Sequence, residues 1–553
     1  MIIISAKDLT HGFGEQPVFQ GISWNIAAGA KIGLTGPNGH GKSTLLRILA
    51  GALIPDHGNI SITKDVRLGY LPQDIQFVPN ATVWTEALES RPDVMRAREA
   101  LAGAELRMAD PAVAGQPPQL ARALAAYARL QEEYERLDGY RHESRTQEAL
   151  ETLGFTIHDF HMPVHTLSGG QKKMLGLAKL LAASANTLLL DEPDNHLDLA
   201  GKARLERFIN NFTGAVIIVS HDRYLLDETV SETAELERGV LTLYQGNYTA
   251  YTVEKQLRLL RQEQLFKAQQ KEIARIEAAI ARFEYWASIV VNKRHIRQAW
   301  SRRRMLEKMD KIDKPDLAPR RMGLELNGWR GSRQVLEVLD VDKVFQTALP
   351  GGHGSEDNIV LAGVNLVIRH GERVGLIGPN GSGKSVFLRC ILGLDTPSGG
   401  EIRIGPNVHM AYYAQEHETL DPRRTLIEEV RLAKPMYEQQ AVGFLGRFLF
   451  PYQMVNNRIA TLSGGERSRL QLALIMLADA NFLLLDEPTN NLDLQSREVL
   501  EDALERFEGT VLAISHDRYF LNKIVDRIEE LDDGQLTGYP GDFTEYEQRR
   551  HNS

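Results

Sequence analysis

Two segments of this 553-residue chain, GPNGHGKST (Gly36–Thr44) and GPNGSGKSV (Gly378–Val386), have the composition of a phosphate cradle. Gly36, Gly39 and Gly41, and again Gly378, Gly381 and Gly383, let backbone N–H groups wrap an anion, with Asn38 and Asn380 between them. Lys42 and Lys384 supply a point charge for β- and γ-phosphates. The Ser43 and Ser385 hydroxyls fall where a phosphate-bound Mg²⁺ takes a ligand. Thr44 and Val386 close the two segments differently.

Downstream of each cradle stands LLLDEP, at Leu188–Pro193 and Leu483–Pro488. An apolar run ending in two acids reads as a buried strand that delivers carboxylates to an edge. Asp191 and Asp486 are placed to complete a Mg²⁺ shell, and Glu192 and Glu487, one residue further, to polarise an attacking water. LSGGQ and LSGGE place Ser168 and Ser463 as helix N-caps, and Gly169, Gly170, Gly464 and Gly465 permit close backbone approach. A helix start of that kind suits a phosphate. His221 and His516 end apolar strands and can donate to a γ-phosphate. Singly, these motifs could be an acidic turn, a plain cap and a packed histidine. Their repetition in one order favours the chemical reading.

The elements that must carry these residues repeat as well. YLPQ (Tyr70–Gln73) and YYAQ (Tyr412–Gln415) correspond, as do SHDR at Ser220–Arg223 and Ser515–Arg518. Lys42 and Lys384 are 384 − 42 = 342 apart, whereas Ser168 and Ser463 are 463 − 168 = 295 apart, so the first half holds 342 − 295 = 47 extra residues before its LSGGQ. Within that insertion Val94, Ala97, Leu101 and Ala104, and then Leu120, Leu124, Tyr127, Leu130, Tyr134 and Leu137, recur at helical spacing around the breaker Asp110–Pro118. A helical arm is expected, either functional or a solvated decoration. A smaller Gly-rich addition in the second half, Pro350–Asn358, reads as a surface loop.

A third region joins the halves. Ile273, Ile276, Ile280 and Phe283 form a helical stripe. Between Lys255 and Lys314 stand sixteen basic and seven acidic residues, 16 − 7 = +9 in a chain of net charge −9, which leaves −18 elsewhere. The densest run is Arg302, Arg303 and Arg304, with Lys293, Arg294 and Arg297 nearby around His295 and Trp300. Such a segment suits RNA phosphate with base stacking, or is merely a solvated charged face. The overall acidity argues against nucleic-acid binding by the whole surface. The one cysteine, Cys390, excludes an intramolecular disulfide, which suits a reducing cytosol. The opening MIIISAKDLTHGF has no basic n-region or cleavage site and is expected to form a strand rather than a signal peptide. No stretch is long and apolar enough for a membrane span.

Phosphate cradle, glutamine, LSGGQ, DE pair and histidine, in that order, resemble the ATP-binding cassette family over about 1–250 and 335–546. The resemblance implies an α/β fold of two tandem P-loop nucleotide-binding domains facing head to tail, binding ATP and Mg²⁺. One site would use Lys42, Ser43, Gln73, Asp191, Glu192 and His221 with Ser463 and Gly465 from across the joint. The other would use Lys384, Ser385, Gln415, Asp486, Glu487 and His516 with Ser168 and Gly170. It also implies that Gln73 and Gln415 join the metal shell, that Phe13 and Phe345 stack on adenine, and that Asp198 and Asp493 reach across the joint. DEPDNHLDL (Asp191–Leu199), DEPTNNLDL (Asp486–Leu494), the arm and the basic linker look like the ABC-F branch, whose members bind the ribosome. Two departures stand out: Asp194 replaces the usual threonine, and Val386 replaces Thr44.

The expected organisation is a first cassette at 1–250 with its helical arm at about 85–150, a basic helical-hairpin linker at 251–318, and a second cassette at 319–553. The expected protein is a cytoplasmic, monomeric Mg²⁺-dependent ATP hydrolase without membrane insertion. It would pair its cassettes intramolecularly and gate ribosome and tRNA contact through the linker. The alternative is the ATPase subunit of a transporter, which explains neither arm nor linker. A chromosome- or repair-type ATPase would need long coiled coils or zinc cysteines.

Overall fold

A computed structural model describes the chain apart from Glu15, Pro79, 111–115, 290–292, 311–321, 349–354, 416–417 and Ser553. In the first half, Leu68–Leu71, Thr187–Asp191, Ala215–Val219, Lys31–Thr35 and Glu232–Glu237 lie side by side in parallel, and Val240–Gln245 closes the edge antiparallel. TLLLD and AVIIV are buried along their whole length, because a parallel sheet is covered on both faces. A three-stranded antiparallel sheet of Gln16–Ala27, Ile2–Phe13 and His57–Ile62 packs beside it. The second half repeats both sheets in the same order, with Arg373–Ile377, Phe482–Asp486 and Thr510–Ile514 as the corresponding central strands.

The arm is two antiparallel helices, Pro92–Ala109 and Pro117–Arg136, shorter than the expected span of about 85–150. Val94, Ala97, Leu101 and Tyr134 form its small core with Tyr127, Leu130 and Leu137. Leu124 is 51% exposed, so the predicted stripe does not pack over its outer part. The next helix, Gly139–Thr152, belongs to the body of the half, because Ala149 and Leu150 join its main core. Residues 111–115 of the expected breaker lie outside the described residues.

The linker begins with a single 42-residue helix, Tyr248–Ile289. The expected boundary at 250/251 therefore falls inside a continuous helix. Its root is fixed in the first half: Tyr248 and Tyr251 are in the core, the Tyr251 hydroxyl donates to Glu235 at 2.5 Å, and Lys255 pairs with Glu235 and Glu237. The return helix Lys293–Glu307 packs Ala299 against Ile276, Ile280 and Phe283. Residues 290–292 at the tip lie outside the described residues, as does the expected boundary at 318/319. Met322, Leu324 and Leu326 then join the core of the second half. Of the loop expected at Pro350–Asn358, Ser355–Asn358 is instead strand, paired with Phe345–Ala348, and 349–354 is outside the described residues.

Candidate active site

Each phosphate cradle runs from a central strand into a helix, Lys42–Leu49 or Lys384–Ile391. The turn requires glycine. Gly36 and Gly378 have φ of 142° and 151°, and a Cβ at either would lie 2.2 Å from a backbone oxygen of the neighbouring strand. Lys42 is buried, and its ammonium donates to the carbonyls of Gly36 at 2.7 Å and Pro37 at 3.1 Å. Lys384 donates to Gly378 at 2.9 Å and Pro379 at 2.7 Å. Burial lowers the pKa of both lysines, opposed by Glu192 and Glu487 in their respective halves.

The structure brings the predicted metal ligands together. The Ser43 hydroxyl donates to Asp191 Oδ1 at 3.1 Å. Gln73 Nε2 donates to Glu192 Oε2 at 2.8 Å, and Gln415 lines one cavity with Ser385, Asp486 and Glu487. Both Asp486 carboxylate oxygens are buried without a hydrogen-bond partner. Burial pushes its pKa up to about 6, while Ser385 and Lys384 pull it down. A buried, unpartnered carboxylate beside a phosphate cradle fits a divalent cation. Among the described residues no group of three His, Cys, Asp or Glu could hold a metal.

Glu192 and Glu487 have positive φ, 48° and 50°. Each still donates its amide to the adjacent strand, to Val219 O at 2.8 Å and Ile514 O at 2.9 Å. The strand pairing thus continues to the glutamate while its backbone turns the carboxylate away from the direction of Asp191 or Asp486. Asn195 Nδ2 donates to Glu192 Oε2 at 2.6 Å. His221 Nε2 lies 3.7 Å from Glu192 Oε1, and His516 Nε2 3.4 Å from Glu487 Oε1. Burial and the cradle lysine hold both histidines well below the usual imidazole pKa, so they are neutral. Burial and the adjacent aspartate raise both glutamates, Glu487 to about 8.

Ser168 and Ser463 cap the signature helices, and the residue three further on explains why Gln171 and Glu466 occur there. Gln171 Oε1 accepts from Ser168 N at 3.0 Å and Glu466 Oε2 from Ser463 N at 2.8 Å, each closing a capping box. A Cβ on Gly170 would meet His196 O at 2.7 Å, so the helix start needs glycine to lie this close to the loop after the DE pair.

The halves face one another head to tail. Asn380 of the second cradle donates its amide to Asp198 Oδ2 at 3.3 Å and its side chain to His196 O at 3.0 Å. Ser168 and Gly169 line a cavity of about 440 Å³ with Lys384, Ser385, Val386 and His516. At the other site a Cβ on Gly465 would be 4.0 Å from Asn38 Nδ2, and Asp493 acts electrostatically on Lys42. That cavity is lined by Phe13, Lys42, Ser43, Thr44, Gln73 and Glu192, without Ser463 or Gly464. Phe13 is 59% exposed at its mouth, as a stacking platform would be. Phe345 is not in the lining around Lys384, whose Val360 corresponds to Val18 of the first site, and Lys343 covers its ring at 4.9 Å.

Motif reading passed over several participants. Tyr70 hydrogen-bonds Asp191, and Lys173 donates to the carbonyls of Pro72 and Gln73 at 3.2 and 2.6 Å, holding the glutamine loop. The repeated tyrosine of YLPQ and YYAQ was the available signal for Tyr70. Lys173 has no such signal, because the second half has Ser468 there.

A family model described as ABC transporter matches residues 19–195 and 361–490, and a second with the same description matches 234–323. ABC transporter F family member 5 of Arabidopsis thaliana is 34% identical over 98% of this chain and 77% of its own length. Energy-dependent translational throttle protein EttA of Escherichia coli K12 is 34% identical over 97% of this chain and 93% of its own. Among solved structures, the complex of an archaeal ribosomal stalk protein with the archaeal ribosome recycling factor aABCE1 shares the fold, with TM-score 0.58 and 20% identity over 99% of this chain and 92% of that one. Among the described residues no helix is long and apolar enough to cross a membrane.

Proposed function

The chain belongs to the ABC-F branch of the ATP-binding cassette family, and from that premise we propose that it uses two Mg²⁺–ATP to gate its own binding to the ribosome. It is an ATP hydrolase with two nucleotide-binding cassettes. Ser43, Gln73 and Asp191, and Ser385, Gln415 and Asp486, would hold Mg²⁺, which would supply positive charge to the phosphates. Glu192 and Glu487 orient the attacking water, and the neutral imidazoles of His221 and His516 meet the γ-phosphate. Cassette closure presents the linker hairpin to rRNA and tRNA, and hydrolysis withdraws it. The protein acts as a cytoplasmic monomer.

The observation that supports this reading best is the match to EttA over nearly the full length of both chains, linker included. The linker adds chemistry that suits RNA. Arg302, Arg303, Arg304 and Arg297 are exposed beside Trp300, which is 60% exposed. The test is cosedimentation of the Glu192→Gln, Glu487→Gln protein with purified ribosomes. ATP should bring the protein into the ribosome pellet and ADP should not. Nucleotide-independent recovery with membranes instead would favour a transporter subunit and overturn the proposal.

A further inference from the structure

The helix that follows each DE motif carries a cation and, four residues on, an acid: Lys202 and Glu206 on Leu199–Asn211, Arg497 and Glu501 on Leu494–Glu505. Residues four apart share one helix face. In both cassettes that face meets the histidine segment of the opposite cassette. Lys202 Nζ donates to His516 O at 2.8 Å, and Arg497 Nη1 donates to His221 O at 2.9 Å. Glu206 accepts from Arg518 at 3.2 Å, and Glu501 accepts from Arg223. Arg518 also stacks over Tyr224 at 4.5 Å and Arg223 over Tyr519 at 5.1 Å.

Each cation is anchored at home. Lys202 pairs with Asp222 at 2.7 Å and Arg497 with Asp517 at 3.3 Å. Lys202, Arg497, Arg518 and Glu501 are all buried. A carbonyl gripped by a buried, paired cation cannot rotate freely, and the imidazole on the same residue is oriented with it. The histidine so held lies 3.4 to 3.7 Å from its glutamate.

We infer that Lys202 and Arg497 are positioning residues that act across the joint, Lys202 setting His516 for the Lys384 site and Arg497 setting His221 for the Lys42 site. This rests on the roles assigned above to the histidines and glutamates. Each cassette thus gives the opposite site two things, its signature helix and the cation that orients that site's histidine. Asp194, the departure from threonine, belongs to this device. It is buried beside Asp222 and Lys202, where the second cassette has Thr489 and Arg497.

Steady-state hydrolysis in two one-site backgrounds tests this. Glu192→Gln leaves the Lys384 site active, and Glu487→Gln leaves the Lys42 site. Lys202→Met should lower kcat roughly 10- to 100-fold in the Glu192→Gln background, the scale of a misplaced catalytic group, with KM little changed. In the Glu487→Gln background it should change little. Arg497→Met should show the reverse. Lys202→Arg, which copies the cation of the other cassette, should restore most of the rate. Equal losses in both backgrounds, loss confined to the other site, or no loss would overturn the inference. If Lys202→Met does not fold, Arg497→Met with Arg497→Lys rescue decides the question from the other cassette. Residual turnover in the Glu192→Gln, Glu487→Gln double variant would instead overturn the glutamate assignment, whatever the cations do.

Discussion

Glu192 and Glu487 keep a left-handed backbone that an ordinary side chain avoids, a cost of about 1–3 kcal/mol each. Both copies carry it, because only that turn lets the glutamate keep its strand hydrogen bond and still face the histidine. The amide of glutamine has the same shape but is a poor base. Glu192→Gln with Glu487→Gln should therefore cut turnover by at least 100-fold while ATP binding persists. Steady-state hydrolysis and equilibrium nucleotide binding check the two halves of that statement, and near-normal turnover would refute the assignment. Asp194 makes a second residue-level case. It shares Lys202 with Asp222, and two carboxylates on one cation split: Asp222 is held low, and burial with its neighbour's charge pushes Asp194 up to about 6. The folded protein therefore holds the Asp194 proton more tightly than the unfolded chain does. Its destabilising effect is full above pH 6 and fades as pH falls through 6 towards the ordinary carboxylate range. Asp194→Thr should stabilise the first cassette at pH 8 by on the order of 2 kcal/mol, and by less at pH 5. Denaturant unfolding at the two pH values measures it, and a pH-independent difference would contradict the assignment.

Among the elements, the signature helices make the sharpest statement. Their capping boxes require Ser168 and Ser463; Ser168 lines the cavity of the Lys384 cradle, and Gly465, two residues after Ser463, comes near Asn38 of the other. Ser463→Arg should lower nucleotide occupancy at the Lys42 site and Ser168→Arg at the Lys384 site, read structurally with labelled nucleotide. Loss confined to the same cassette would mean that the pairing is wrong. The linker gives a graded prediction. Arg302 already covers Phe283 at 5.3 Å, and Arg303 already pairs with Glu284 at 2.6 Å, although both remain exposed. Replacing Arg302, Arg303 and Arg304 with alanine should weaken ribosome binding and reduce its salt slope by about two units, fewer than three free phosphate contacts would give. An unchanged slope in a cosedimentation salt series would show that these arginines do not touch RNA. Elements with a repeated motif were legible in advance: both cradles, both DE strands and both caps lie where spacing put them. The outer arm was not, because helical periodicity in Leu120 and Leu124 says which residues share a face but not whether anything covers it. Phe345 aligns with Phe13 in the chain, but its strand runs on to Ala348 in a longer hairpin, and it is not among the residues lining the cavity around Lys384.

At the scale of the molecule, the duplication is imperfect in ways that only the joint makes meaningful. The paired cations at 202 and 497 carry no motif, and in the chain they look like ordinary helix-surface charges. Their role depends on a contact between residues about 300 positions apart, which no local pattern contains. The root of the linker was hidden in the same way. The first cassette was expected to end at 250, yet Asn247 caps the long helix and accepts from Ala250 N at 3.1 Å.

That helix has a mechanical consequence. Its 42 residues span about 63 Å at 1.5 Å per residue, and Tyr251, Lys255 and Glu235 bolt its base to the first cassette with no joint between them. It therefore works as a lever arm whose fulcrum is the cassette itself. Turning the first cassette by about 10° would sweep the far end through about 10 Å without any bending of the helix. A movement at the ATP sites too small to notice locally is thus multiplied at the tip, and stiffness near Tyr251 sets the gain.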